Sequence, residues 1–137
     1  MRRVWIAPVL MLGLNGGAAA QQAQHRAVIE AQIAAFLADD FATAFEFASP
    51  AIRTIFGNPE RFGQMVVQGY PMVHRPAELR FLGQVERDGT ILQRVLIADQ
   101  AGRSHVLEYE MIPDPAPGGA GFVINGVRLL PAPGAGV

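Results

Sequence analysis

The residues of this chain that can carry chemistry are few and scattered. Its three histidines stand at 25, 74 and 105, its two tyrosines at 70 and 109, and it has no cysteine. General acid–base work needs a carboxylate or imidazole whose pKa has been moved by burial or by a neighbour. The groups of the right type are His74, His105, Glu108 and Glu110, with Tyr70 and Tyr109 as hydrogen-bond donors and Arg53 as a holder of anions. As a catalytic set the candidates are His74, Tyr70 and Tyr109; as ligand contacts they are Arg53, Tyr70, His74 and His105.

Spacing limits what these groups can do together. His105 and Tyr109 share a strand face four residues apart, about 13 Å, too far for a direct pair. Glu108 and Glu110 share the opposite face, and they are solvated if Leu107, Tyr109 and Met111 point inward. His74 precedes Arg75-Pro76 and could line the mouth of a cavity with Tyr70; the plainer alternative is an exposed loop histidine. Arg53 and Arg61 fall in helical segments near the same mouth, where surface ion pairing is the commoner fate. Asp39-Asp40 imitates a catalytic acid, but helix capping accounts for Asp40. The histidines have no short ligand spacing, so no metal site is expected. No phosphate loop, nucleophile elbow or Ser/His/Asp order is present, and no cofactor is implied.

The elements that must position these residues come in two blocks. Residues 24–38 form an amphipathic helix with Ile29, Ile33, Phe36 and Leu37 in one stripe. Asp40 caps a second helix, Phe41 to Ala48, and Ser49-Pro50 opens a short one that Gly57 ends. Asn58-Pro59-Glu60 starts a helix with Phe62, Met65, Val66 and Gly69 on its apolar face, and Pro71 stops it. After Pro76 the period shortens to two. Leu79, Phe81, Gly83 and Val85 alternate with polar residues, and Asp88-Gly89 marks a two-residue hairpin. Strands follow at Ile91 to Ala98, Ser104 to Ile112 and Phe122 to Leu130, the last with a bulge at Asn125-Gly126. The fold predicted is α+β, with N-terminal helices on one face of a curved four-stranded antiparallel meander sheet.

The two ends read differently. Met1-Arg2-Arg3, the apolar run Val4 to Leu14 and Ala18-Ala19-Ala20 before Gln21 have the order of a secretory signal peptide cleaved after Ala20. The expected layout is therefore a signal at 1–20, one domain at 21–131 and a disordered tail at 132–137. The product would be a soluble periplasmic or secreted protein, without a membrane anchor or disulfide support. Residues 1–20 hold two of the 11 arginines and none of the 12 acids, so the mature chain would carry a net charge of −3 with His neutral. That balance offers no basic footprint for nucleic acid.

Several segments carry a resemblance. Ala34-Ala35-Phe36 with Asp39-Asp40, Ala42 to Ala48, and Phe122-Val-Ile-Asn-Gly-Val127 resemble the cystatin-like, nuclear transport factor two-like superfamily. More narrowly, Phe47-Ala-Ser-Pro50, Phe56-Gly-Asn-Pro-Glu60, Phe62, Met65, Tyr70 and Arg75-Pro76 resemble an exported alphaproteobacterial family known as a domain of unknown function. The superfamily implies a sheet wrapping a long first helix around a cone-shaped cavity. Its ketosteroid isomerases and dehydratases place an acid or base in that cavity, helped by Tyr or His. Ala51 to Asn58 is too short for the hairpin that larger members insert after the second helix, which bears on the depth of any cavity.

Three functions follow as expectations. The first is a non-catalytic module that binds a small apolar ligand or a protein partner. The second is an isomerase- or dehydratase-like enzyme with a His or Glu base. The third is a homodimer through an outer-face patch of Leu82, Leu92 and Leu96, opposite in phase to Val85, Val95 and Ile97.

Overall fold

The computed structural model describes residues 13–116 and 121–131, with side chains of the first helix from residue 23 onward. The expected tail, the start of the expected signal and part of the Pro/Gly loop lie outside the described residues. Among the described residues, five helices precede four strands: α1 (Gly13–Leu37), α2 (Phe41–Glu46), α3 (Pro50–Phe56), α4 (Pro59–Gly69), α5 (Pro71–His74), β1 (Pro76–Arg87), β2 (Thr90–Asp99), β3 (Ser104–Pro113) and β4 (Phe122–Leu130). The strands form one antiparallel sheet in the order β1-β2-β3-β4, and the helices pack against it, an α+β fold.

The helix boundaries follow local chemistry. Asp40 accepts from Thr43 N, Ser49 from Ile52 N and Asn58 from Arg61 N, so three successive helices start on a side-chain oxygen that satisfies a free first-turn N–H. Gly57 ends α3 at φ 84°, a left-handed conformation that costs a side-chain-bearing residue more. Pro71 ends α4 as expected but also opens the single turn α5, because proline suits a first helical position. α1 begins well before residue 24, carried by the Ala/Gln run, which has high helix propensity.

The core lies between α1, α4 and the inner face of the sheet. Ile29, Ile33 and Phe36 are buried as the stripe predicts, whereas Leu37 is 46% exposed. Eight residues carry Leu37 roughly 80° round the helix from Ile29, to the edge of the stripe. His25 and Gln32 take buried places on that face instead. Phe62 on α4 is an aromatic hub, with ring centroids 5.7 Å from Phe36, 5.4 Å from Phe45 and 5.7 Å from Phe56. Each such pair is worth about 0.5–1.5 kcal/mol beyond its buried area, so this one side chain ties α1, α2 and α3 to α4.

Two irregularities decide which side chains face which way. Between Phe81↔Val95 and Gln84↔Gln93, β1 spends two residues opposite Arg94 alone. This bulge reverses the alternation. Leu79 and Phe81 face the core, while Val85 pairs with Leu92 on the outer face and is 52% exposed. The predicted opposition of Val85 to Leu82 and Leu92 is thus corrected, since one extra residue flips every later side chain. The second irregularity is the expected bulge in β4, where Asn125 stands between Ile124↔Met111 and Gly126↔Glu110. The β1–β2 hairpin turns through Asp88 at φ 54° and Gly89 at φ 85°, the two left-handed residues that match the twist of the strands.

Candidate functional site

A cavity of about 270 Å³ opens between the helices and the sheet. Phe36 of α1, Val66 of α4 and Ile124 of β4 lie buried around it, and half-buried Ile52, Phe56 and Met65 line its more open side. Its volume lies just under the range of about 300–1,000 Å³ common for small-molecule sites. Only three lining side chains are polar: Gln32, Tyr70 and Tyr109.

Each polar group is placed by a different element. Gln32 lies on the buried face of α1, and its Nε2 donates to Ala44 O at 3.0 Å, tying α1 to α2. Tyr70, at the C-terminus of α4, donates its hydroxyl proton to Val127 O at 3.2 Å. Tyr109 sits on central strand β3, paired with Gln93 and Val127, and is fully buried. Its hydroxyl has no hydrogen-bond partner among the described residues. Burial pushes its pKa well above that of an ordinary tyrosine, with a smaller contribution from nearby Tyr70, so the hydroxyl is neutral at physiological pH.

The cavity brings together Tyr70 and Tyr109 among the residues singled out from sequence, and none of the others. His74 ends α5, where its Nε2 donates to Asp39 Oδ1 at 2.8 Å. Arg75 adds two bonds to the same carboxylate and donates to Phe36 O, so the cluster closes the C-terminal end of α1. His74 is neither at the cavity nor a free loop histidine. The bonds from His74 and Arg75 hold the Asp39 carboxyl below the usual aspartate range. Asp39 adopts φ 55°, the left-handed turn that ends α1. His105 lies near the end of the sheet and donates to Asp99 Oδ2 at 2.8 Å, which lowers the Asp99 pKa. Arg53 is exposed on α3 and does not line the cavity.

The glutamates differ from expectation. Glu108 faces outward yet is only 7% exposed, clasped by Arg128 and by Arg94 at 3.3 Å. The Arg128 bond, reinforced by Arg94, holds its pKa below the usual glutamate range despite burial. Cross-strand register explains the pairing, because Arg94, Glu108 and Arg128 are direct neighbours on β2, β3 and β4. Glu110 accepts from Asn125 Nδ2, and Asn125 Oδ1 in turn accepts from Ser49 Oγ at 2.7 Å. The β4 bulge is thereby tied to the N-cap of α3 beside the cavity. Leu82, Val85, Leu92, Val106 and Leu130 flank the Glu108 network in a second, outer groove.

Sequence reasoning missed Gln32, and also the buried pair His25–Gln93. His25 Nε2 donates to Gln93 Oε1 at 2.7 Å, because the amide nitrogen of Gln93 is already donating to Leu82 O and Arg94 O. A signal for Gln32 and His25 exists in the helical period, since both fall on the Ile29 stripe. Among the described residues, no group of His, Asp or Glu is arranged to hold a metal ion, and no helix is long and apolar enough to cross a membrane.

No curated protein and no solved structure matches the chain. A family model described as a domain of unknown function (DUF4864) matches residues 18–137, and the chain belongs to that family.

Proposed function

We propose that this domain is a non-catalytic binding module for a small apolar ligand. The cavity carries the reading: it is open on one side, large enough for a ligand bigger than benzene, which an apolar cavity of about 150 Å³ already admits, and lined almost wholly by apolar side chains. The resemblance to the cystatin-like superfamily supports it, since that architecture keeps a cavity between helices and sheet. An isomerase- or dehydratase-like role would need a base beside a donor in one pocket. His74, Glu108 and Glu110 do not line the cavity, which counts against that alternative. The amino-terminal segment supports export, so the module works in the periplasm or outside the cell.

Titration with isopropylbenzene, followed by backbone amide NMR, tests the ligand reading. Shifts confined to the cavity-lining stretches of α1, α3, α4, α5, β3 and β4 are expected, and Val127→Trp, at the half-buried edge of the cavity, should abolish them. A folded protein whose amides in these elements do not move would refute it.

A second reading concerns assembly. The outer groove of Leu82, Val85, Leu92, Val106 and Leu130 supports a homodimer through the sheet, with a second copy covering these side chains. Light scattering should then give twice the chain mass, and Leu92→Arg should halve it. A monomer at high concentration removes this reading.

A further inference from the structure

The chemistry of the cavity wall narrows the ligand class, a step that rests on the ligand-binding reading above. None of the fourteen lining residues is charged. An ionised ligand would lose its hydration there and find no counter-charge. Of the three polar side chains, Gln32 and Tyr70 are engaged with Ala44 O and Val127 O. Tyr109 is fully buried, and its hydroxyl is the one donor of the three without a partner among the described residues. A buried hydroxyl without a partner is a standing cost that a bound acceptor would remove. The phenol is protonated at pH 7, as an ordinary tyrosine is, and so can donate its proton to that acceptor.

We propose that the cavity selects uncharged apolar molecules bearing one carbonyl oxygen, which accepts a hydrogen bond from the Tyr109 hydroxyl, and that it rejects the matching carboxylates.

Three probes of nearly equal size separate the contributions: isopropylbenzene (apolar), acetophenone (one carbonyl) and benzoate (charged). Affinities are measured by amide NMR at pH 7 for the wild type and for Tyr109→Phe. The expected result is that Tyr109→Phe lowers the ratio of acetophenone to isopropylbenzene affinity by about fivefold, the worth of one ordinary hydrogen bond. Benzoate should bind at least about tenfold more weakly than acetophenone to the wild type. With only two tyrosines in the chain, the ¹³Cζ signal of Tyr109 is assignable and gives a readout that needs no Tyr109 variant. It should move with acetophenone and stay with isopropylbenzene. An unchanged affinity ratio, an unmoved ¹³Cζ signal, or benzoate binding as tightly as acetophenone would overturn the inference while leaving an apolar binding cavity intact. If none of the three probes perturbs the cavity, the binding reading itself falls, and this inference with it.

Discussion

Tyr109 and Glu108 are neighbours on β3, and their opposite fates come from one alternation. Tyr109 points into the apolar interior with a neutral hydroxyl that has no partner among the described residues, while Glu108 points outward and keeps its charge under two guanidinium groups. The glutamate has a pH signature. Its pKa in the folded protein is held below the unfolded value of about 4.3. Its stabilisation is therefore fully present above that unfolded value and is lost as pH falls through the folded value. Glu108→Gln should cost about 1 kcal/mol at pH 7, a modest figure because both arginines remain more than half exposed. The cost should be smaller at about pH 3, below the unfolded value. Urea unfolding at the two pH values checks this, and an equal cost at both would show that the charge is not what stabilises. From sequence, Glu108 reads as a solvated residue, because the arginines that bury it come from other strands, 14 and 20 residues away.

At the level of elements, the short helices are local decisions and their packing is not. Three caps and the Asp88-Gly89 turn are written in adjacent residues, so they are legible without tertiary information. The contact between α2 and α4 is different. It depends on Gly63, whose missing side chain lets the Phe41 ring lie flat against α4; a Cβ there would sit 2.4 Å from Phe41 Cδ2 and 2.5 Å from Cγ. The clash is with the base of the ring, so the side chain cannot swing clear at its tip. Gly63→Ala should destabilise the fold by about 1–3 kcal/mol, even though alanine is the better helix former by about 1 kcal/mol. Thermal unfolding measures the sign. A variant more stable than the wild type would mean that the helices are free to separate at this point.

For the whole molecule, the proposed export and the described fold are compatible. Cleavage after Ala20 would leave Gln21–Leu37 of α1, and the core positions Ile29, Ile33 and Phe36 all lie in that remainder. Protein recovered from the periplasm should begin at Gln21 by intact mass, and a chain starting there should unfold at the same temperature as the full one. Retention of residues 1–20 on the recovered protein would remove the export proposal.

Order and class of the elements were settled by the sequence itself. Period, caps and turn residues act between neighbours in the chain, and they specify helices first, an antiparallel meander after, and the bulge at Asn125. Tertiary structure alone decided the rest. The bulge in β1 set which apolar residues face outward, because a single extra residue inverts the alternation; its local marker, Gly83, fits an ordinary strand position equally well. A long-range bond to Asp39 holds His74 away from the cavity, Arg53 is exposed on α3, and packing puts Gln32 in the same cavity wall as Tyr70 and Tyr109. The cavity, with Tyr109 in its wall, exists only where α1, α3, α4 and two strands meet, a meeting fixed by packing and not by spacing along the chain.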